Sequence, residues 1–193
     1  MATASRKKSR PGFVRIIGGR WRRQRIAVPG GADLRPTPDR VRETLFNWLA
    51  AVLPGARCLD LFAGTGVLGL EALSRGAQHA VFIERNKAAA AALETSCNTL
   101  DADAEIVWAD AEGFLERADT QRFDIVFVDA PYAMAVDSVF AALPRWLKPG
   151  AHIYLERERN EPWPDPEGFE WTRQGTAGTV AFGIAKPVPI ADL

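Results

Sequence analysis

Hydrophobic positions along the chain follow two alternating patterns from residue 56 onward. Short apolar runs of strand length alternate with segments in which apolar residues recur at helical spacing. The predicted strands are 57–61, 80–84, 104–109, 123–129 and 152–156, and the predicted helices between them are 68–74, 87–100, 111–117 and 136–146. Apolar strands that alternate with helices predict a parallel sheet covered by helices on both faces.

The last part of the chain departs from this alternation. Segments 169–173 and 179–185, with Gly175 and Gly178 between them, predict an antiparallel pair that closes one edge of the sheet. The fold class is therefore α/β, with seven predicted strands that are mostly parallel. Because a doubly wound sheet binds ligands beyond the carboxyl ends of its strands, the residues that follow each strand are the first candidates for a functional site.

The amino-terminal segment has a different pattern. Residues 13–28 predict two strands joined by a turn at Gly18-Gly19, which makes a β-hairpin. Thr37 and Pro38 predict the N-cap and first position of a helix that continues through about Val52. We expect residues 1–36 to form a tail and a β-hairpin, and residues 37–193 to form one α/β domain.

Charge is divided unevenly between the two parts, although the formal net charge of the chain is zero. Residues 1–42 hold twelve Lys or Arg against Asp33 and Asp39, whereas the remaining residues carry a matching excess of acids. These cations alternate with apolar residues such as Phe13 and Trp21, which predicts a folded basic surface. Such a surface suits nucleic acid, so we expect residues 1–36 to form an RNA-binding appendage, although a basic tail can also serve solubility alone.

Several classes of protein are disfavoured by the sequence. No apolar run approaches the length that spans a bilayer, and the first residues lack the apolar core of a signal peptide, so we expect a cytoplasmic protein without membrane contact. Cys58 and Cys97 lie in apolar runs outside any CxxC or Cys/His cluster, which predicts reduced core residues and no metal site.

A glycine-rich loop follows the first predicted strand of the sheet. Gly64, Gly66 and Gly69 fit the GxGxxG pattern, whose glycines permit a tight turn and a close approach of the backbone to a ligand. The pattern alone would also suit a nicotinamide or flavin enzyme. A purely structural strand-to-helix turn is a further interpretation.

Acidic residues end three successive strands and favour S-adenosylmethionine over a dinucleotide. Asp60 would repel a pyrophosphate but attract the cationic amino acid portion of S-adenosylmethionine. Glu84 lies where an acid accepts hydrogen bonds from ribose hydroxyls, and Asp110 could accept one from the adenine amino group. Each acid taken alone could instead cap a helix.

The tetrapeptide Asp129-Ala-Pro-Tyr132 follows the fourth strand and predicts the methyl-transfer site. A planar amine is a poor nucleophile because its lone pair is delocalised. Two acceptors, the Asp129 carboxylate and the Ala130 carbonyl, could hold its two hydrogens and direct the lone pair at the methyl group, while Tyr132 stacks on the base. The alternative interpretation is an ordinary loop with a buried tyrosine.

With these motifs the chain resembles the bacterial RsmD family of 16S rRNA guanine-N2 methyltransferases over nearly its whole length. The most specific stretches are Arg15-Ile-Ile-Gly-Gly-Arg-Trp21 and residues 34–49, LRPTPDRVRETLFNWL. The resemblance implies a Rossmann-like class I methyltransferase fold and S-adenosylmethionine as donor. It also implies a guanine of 16S rRNA as target, in an assembled or partly assembled 30S subunit. The family usually has a proline at the position of Ala130.

Three sets of candidate site residues follow from the motifs and the resemblance, and we expect the protein to act as a monomer. The catalytic set is Asp129, Ala130, Pro131 and Tyr132, and the cofactor set is Asp60, Phe62, Gly64, Gly66, Glu84, Arg85, Asp110 and Ala111. The RNA-binding set is Arg15, Arg20, Trp21, Arg22, Arg23, Arg25, Arg35, Thr37, Arg40 and Arg42.

Three other functions remain open at the level of sequence. The same tetrapeptide serves any planar amine, so adenine N6 in DNA or RNA and a protein glutamine are alternative targets. An NAD-dependent oxidoreductase agrees with GxGxxG but not with Asp60 and Asp129. A nonenzymatic RNA-binding assembly factor that has kept a cofactor pocket is the third possibility.

Overall fold

The computed structural model describes residues 12–28, 37–117, 121–132 and 134–188, so the predicted RNA contact Arg35 lies outside the described residues. The strands are β1 (Gly12–Arg15), β2 (Arg25–Val28), β3 (Arg57–Asp60), β4 (His79–Ile83), β5 (Ala104–Val107), β6 (Phe123–Val128), β7 (Leu147–Glu158), β8 (Phe169–Ala177) and β9 (Val180–Pro187). The helices are α1 (Asp39–Trp48), α2 (Val67–Ser74), α3 (Lys87–Leu100), α4 (Ala111–Leu115) and α5 (Asp137–Ala142). Within these ranges, none of the helices combines the length and apolarity needed to cross a bilayer.

The main sheet has seven strands in the order β5-β4-β3-β6-β7-β9-β8. The first five of these pair in parallel, whereas β9 runs antiparallel to both β7 and β8. The predicted fold class, including the antiparallel terminal pair and the separate amino-terminal hairpin, is therefore confirmed. The strand order reverses between β3 and β6, and that reversal opens a crevice at the carboxyl ends of the central strands.

Several predicted boundaries are wrong, for local reasons. The helix predicted over 136–146 ends at Ala142 and tightens into a 3-10 turn, Leu143–Trp146, which contains Pro144. Helix α1 ends at Trp48 rather than near Val52. Strand β7 spans Leu147–Glu158, well beyond the predicted 152–156, because it pairs with β6 on one side and β9 on the other.

Apolar side chains fill both faces of the sheet. One cluster joins α1, α2 and α3 to the sheet and includes the fully buried Phe46 and Phe82. The other joins α4, α5 and the 3-10 turn to the sheet, and in it Trp146 stacks against Phe114. Cys58 and Cys97 are buried free thiols, as predicted, and burial raises the pKa of the Cys97 thiol to about 11.

The hairpin packs against the same core as the main sheet. Its apolar side chains Val14, Ile16 and Ile26 are buried in the cluster that contains α1 and α2. Two backbone N–H groups of the hairpin loop, those of Ile17 and Gly18, donate to the Glu71 carboxylate at 2.9 and 2.8 Å. The hairpin is therefore held on α2, the helix that follows the glycine-rich loop.

The predicted hairpin turn at Gly18-Gly19 is wrong in its geometry. Strand β1 ends at Arg15 and β2 begins at Arg25, and the backbone of Ile16 still exchanges hydrogen bonds with Gln24 and Arg23. The chain between Ile16 and Gln24 therefore forms a wide loop. The loop is wide because it docks on the end of α2, where the N–H of Arg20 donates to the Ser74 carbonyl at 2.8 Å. Gly19 has φ 73°, and a Cβ there would lie 1.9 Å from the same carbonyl oxygen. Glycine is thus required for docking rather than for a two-residue turn.

Candidate active site

An open cleft of about 1320 Å³ lies at the carboxyl ends of β3, β4, β6 and β7. It brings together the catalytic set and all members of the cofactor set except Gly66, which does not line it. Residues that the sequence separates by about 70 positions, such as Asp60 and Asp129, therefore face one space. This convergence is what the parallel sheet predicts for residues that follow successive strands.

The glycine-rich loop connects β3 to α2 and needs two of its glycines for backbone conformation. Gly64 has φ 54° and Gly66 has φ 73°, both in the left-handed region that favours glycine. Gly69 has a different reason, since a Cβ there would lie 2.3 Å from the Phe82 ring. The third glycine thus allows α2 to pack closely on β4.

Asp60 is a buried acid with one unused oxygen. Its Oδ2 accepts a hydrogen bond from the Gly69 N–H at 3.3 Å, whereas its buried Oδ1 has no partner among the described residues. Burial, with a smaller contribution from the charge of Glu84, raises the pKa of Asp60 to about 7, and the backbone N–H groups of Gly69 and Phe62 oppose this shift. A cationic group bound in the cleft would satisfy this oxygen and favour the ionised carboxylate.

Glu84 and Asp110 also act on the backbone around the cleft. Glu84 accepts hydrogen bonds from the N–H groups of Gly64 and Asn86 at 2.8 and 2.6 Å, so it shapes the glycine-rich loop. Each of its oxygens retains a second lone pair for a ligand hydroxyl. Asp110 is the N-cap of α4 and accepts from the Gly113 N–H at 2.8 Å. The capping interpretation of Asp110 is therefore correct, and its cofactor role stays a prediction.

Asp129 is held by a residue from the other end of the chain. The Thr37 hydroxyl donates to Asp129 Oδ2 at 3.1 Å. Burial of the carboxyl group raises the pKa of Asp129 well above its ordinary value, the charge of Glu156 raises it further, and the Thr37 hydrogen bond opposes both. The site therefore contains a carboxylate of fixed orientation that binds a proton more readily than an exposed aspartate.

Glu156 is a site residue that the sequence reasoning missed. It lies near the end of β7, is 6% exposed, lines the cleft and accepts a hydrogen bond from the Tyr154 hydroxyl at 2.9 Å. The Tyr132 hydroxyl lies 3.5 Å from its other oxygen. Burial raises the pKa of Glu156, and its hydrogen bonds oppose that shift. The sequence did contain a signal for this residue. Glu156 ends the predicted strand 152–156, just as Asp60, Glu84 and Asp110 lie at or next to the ends of their predicted strands.

Ala130 and Tyr132 of the tetrapeptide differ in exposure. Ala130 is 5% exposed, whereas the Tyr132 ring is 41% exposed at the rim of the cleft. Burial and the neighbouring carboxylates raise the pKa of Tyr132 to about 12, so its hydroxyl remains a hydrogen-bond donor at neutral pH. An exposed ring beside a carboxylate provides a surface on which a planar substrate can stack.

The hairpin presents the predicted cationic surface. Arg15, Arg20, Arg22, Arg23 and Arg25 are exposed, as is Arg40 on α1. Two of these guanidinium groups cover aromatic rings, Arg20 at 4.2 Å from the Trp21 centroid and Arg25 at 4.1 Å from that of Phe13. Their contact with RNA stays a prediction.

Arg42 is a correction to the predicted RNA-binding set. Its side chain is fully buried, pairs with Glu71 at 3.2 Å and with Asp39, and donates to the Arg15 carbonyl at 2.8 Å. A buried guanidinium whose donors are engaged in this way cannot reach a phosphate. It instead links α1, α2 and the hairpin.

Thr37 also differs from its prediction. It is predicted to contact RNA, but it is 2% exposed and lines the cleft. It is not the N-cap of α1, because Pro38 occupies that position without a side-chain hydrogen bond. The hydroxyl that would cap the helix is engaged by Asp129.

Comparisons with known proteins agree with the site. The family model described as conserved hypothetical protein 95 matches residues 14–186. Ribosomal RNA small subunit methyltransferase D of Escherichia coli K12 is 45% identical over 178 residues, covering 90% of this chain and 89% of the relative. The protein of the same name from Haemophilus influenzae is 40% identical over 180 residues, covering 90% and 93%.

A solved structure shows the same architecture. The Escherichia coli protein yhhF, whose name assigns it provisionally to the methyltransferases, superimposes with a TM-score of 0.83 at 42% identity, covering 91% of this chain and 98% of that one. The resemblance noted from the hairpin, the glycine-rich loop and the tetrapeptide is therefore confirmed: the chain belongs to the conserved hypothetical protein 95 family, the RsmD family of ribosomal RNA small subunit methyltransferases.

Proposed function

We propose that this protein transfers a methyl group from S-adenosylmethionine to the exocyclic N2 amino group of a guanine in 16S rRNA. The observation that carries the proposal is the shared cleft. The cleft is lined both by Asp60, whose buried Oδ1 has no partner among the described residues, and by the Asp129 to Tyr132 tetrapeptide. The names of the relatives point to the RNA of the small ribosomal subunit as substrate.

The residues of the cleft fit S-adenosylmethionine better than a dinucleotide. Asp60 Oδ1, buried and without a described partner, matches a cationic amino acid group and would repel a pyrophosphate. Glu84 offers free lone pairs to ribose hydroxyls, and the α4 amino terminus at Asp110 and Ala111 offers hydrogen-bonding groups to adenine. Phe62 and Arg85 line the same region. When bound, S-adenosylmethionine supplies an electrophilic methyl group.

The tetrapeptide supplies the acceptors that a guanine amine needs. Asp129 and the Ala130 carbonyl each accept one hydrogen from N2, which localises the nitrogen lone pair and directs it at the methyl carbon. Thr37 fixes the orientation of Asp129 through its hydrogen bond. The nitrogen–methyl bond forms as the sulfur–methyl bond breaks, and the surplus proton on N2 then passes to Asp129. The raised pKa of Asp129 suits that acceptance.

The hairpin gives the proposed enzyme its contact with RNA. Its exposed cations Arg20, Arg22 and Arg23 lie on a loop that is fixed to α2 through Glu71 and Ser74. Helix α2 directly follows the glycine-rich loop. Phosphate contacts on such a rigid support set the position of the RNA relative to the cleft. We propose an assembled or partly assembled 30S subunit as the substrate particle and a monomeric enzyme.

Two measurements test this function. Equilibrium binding should favour S-adenosylmethionine over NAD. Radiolabelled methyl groups should then pass to small subunits from a strain that lacks the enzyme, and nucleoside analysis should find N2-methylguanosine. Binding of NAD alone would indicate an oxidoreductase, and label in adenine or in protein would indicate another planar amine. Cofactor binding without any transfer would contradict the proposal and favour an assembly factor.

A further inference from the structure

Glu156 is a buried acid that has no role in the methyl transfer proposed above. It is 6% exposed, yet it lines the same cleft as Asp129. The hydroxyl of Tyr132, three residues after Asp129, lies 3.5 Å from Glu156 Oε1, so Glu156 is beside the tetrapeptide. Burial of a carboxyl group costs free energy unless its oxygens accept hydrogen bonds, so buried acids normally have hydrogen-bond partners.

The two oxygens of Glu156 have different surroundings. Oε2 accepts from the buried Tyr154 hydroxyl at 2.9 Å, a contact that fixes the carboxylate plane. Oε1 lies 3.5 Å from the Tyr132 hydroxyl, on the exposed ring proposed to stack on the base. The Thr37 hydroxyl, which donates to Asp129, also acts on the Glu156 carboxyl group as a hydrogen-bond donor. The anchored carboxylate thus keeps acceptor capacity on Oε1, the oxygen beside the tetrapeptide.

Guanine differs from other amino-bearing bases in the group beside its amine. Its N2 amino group lies next to N1–H, so the edge presents adjacent donors that match a pair of carboxylates. Adenine and 2,6-diaminopurine instead place an unprotonated N1, an acceptor, beside the amino group. An anionic oxygen facing that nitrogen would repel it and would lose a hydrogen bond.

We propose that Glu156 determines specificity for guanine by accepting a hydrogen bond from N1–H while Asp129 accepts one from the N2 amino group. This inference rests on the proposed function. The raised pKa of Glu156 is consistent with this role, because a donor from the base compensates a carboxylate that its burial otherwise disfavours. Tyr154 is then a positioning residue that orients Glu156.

The test compares three nucleosides by NMR titration into enzyme saturated with S-adenosylhomocysteine. Guanosine carries both donors, 2,6-diaminopurine riboside lacks N1–H, and inosine lacks the 2-amino group. The parent enzyme should bind guanosine at least about tenfold more tightly than 2,6-diaminopurine riboside. Glu156→Gln should reduce this ratio to within about twofold, because an amide can turn its NH2 group toward an unprotonated N1. The guanosine-to-inosine ratio, which reports on Asp129, should change little.

A matched control is Glu158→Gln, which removes an exposed acid from the same strand and the same cleft. Its nucleoside ratios should equal those of the parent. Melting temperature and S-adenosylmethionine affinity show whether each variant is folded. Glu156→Gln with an unchanged ratio between guanosine and 2,6-diaminopurine riboside would overturn the inference and leave Glu156 as a support for the tyrosines. Equal or undetectable binding of all three nucleosides to the parent would also overturn it.

These outcomes are distinguishable from failure of the proposed function itself. The same preparations are assayed for methyl transfer to small subunits. Transfer to guanine N2 together with an unaltered ratio in Glu156→Gln refutes only the role of Glu156. Absence of transfer by the parent refutes the proposed function, whatever the nucleoside ratios are.

Discussion

The Thr37 hydroxyl donates to Asp129 Oδ2 at 3.1 Å and so joins two segments that are 92 residues apart in the chain. Thr37 lies just before α1, and Asp129 follows β6. Helix α1 is in turn tied to the hairpin, because Arg42 donates to the Arg15 carbonyl. A continuous set of contacts therefore connects the cationic surface to the proposed catalytic carboxylate.

Removal of the Thr37 hydroxyl is expected to impair the chemical step. In Thr37→Val the carboxylate loses a donor that lowers its pKa, so the pKa of Asp129 should rise and the acidic limb of the pH–rate profile should move to higher pH. We expect single-turnover methylation to slow about tenfold, with unchanged affinity for S-adenosylmethionine and recovery in Thr37→Ser. Thr44→Val, which removes a hydroxyl bonded to the Arg40 carbonyl, is the control. A pH profile identical to that of the parent would show that the hydroxyl does not act on Asp129.

Substitution of Asp129 should mainly affect turnover, whereas substitution of Glu84 should mainly affect cofactor binding. Asp129→Ala removes an acceptor needed chiefly in the transition state, so its turnover should fall by about a hundredfold or more, equivalent to roughly 3 kcal/mol. Glu84→Ala should mainly weaken S-adenosylmethionine binding, since it also releases the Gly64 N–H. Calorimetry and single-turnover kinetics on both variants measure the two effects. Near-normal turnover in Asp129→Ala would mean that the tetrapeptide is only a loop.

Charge reversal on the hairpin should weaken RNA binding without affecting the cofactor site. Replacement of the exposed Arg20, Arg22 and Arg23 by Glu should sharply lower affinity for the small subunit. It should also reduce the slope of log affinity against log salt by about 2 to 3, as expected for three lost phosphate contacts. S-adenosylmethionine affinity should remain that of the parent.

The matched control for this prediction places the same charge change elsewhere. Arg117, Arg145 and Arg173 are exposed and lie outside both the hairpin and the lining of the cleft. Their replacement by Glu should leave the salt slope within about one unit of the parent value. An equal loss of affinity in both triple variants would indicate a general effect of net charge.

Ala130→Pro tests whether residue 130 contributes only its carbonyl. Ala130 has negative φ, and its N–H donates no hydrogen bond to the residues that the structure describes. Both features are compatible with proline. We expect activity within about fivefold of the parent and a gain of about 0.4 to 1 kcal/mol in the free energy of unfolding. A folded variant that binds S-adenosylmethionine normally but methylates a hundredfold more slowly would refute the carbonyl-only role.

Asp60 is expected to make stability depend on pH. Because its pKa rises from 3.8 to about 7 on folding, the folded state binds one more proton between these values. Stability should therefore fall as pH rises through this window, by up to about 1.4 kcal/mol per pH unit. Asp60→Asn should lose this contribution to the decline and should bind S-adenosylmethionine more weakly. Urea unfolding of both proteins from pH 4 to pH 8 measures the difference, and parallel curves would contradict the prediction.

The sequence by itself determined the order of elements and most of the cleft. Hydrophobic periodicity is a local property, and the carboxyl ends of parallel strands must share one edge of the sheet. The strand pattern alone therefore places Asp60, Glu84, Asp110 and Asp129 together. The glycine-rich loop could also be predicted from the sequence, because the need for a left-handed backbone conformation at Gly64 and Gly66 arises within the loop itself.

Tertiary packing alone decided how distant side chains pair. In the sequence, Arg42 and Thr37 lie beside the basic segment, and both are therefore predicted to contact RNA. In the structure, Arg42 is buried against Glu71 and Thr37 donates a hydrogen bond to Asp129. The wide hairpin loop likewise depends on the end of α2, at Ser74. Burial and pairing of a polar group depend on which surfaces meet, and no local pattern in the chain contains that information.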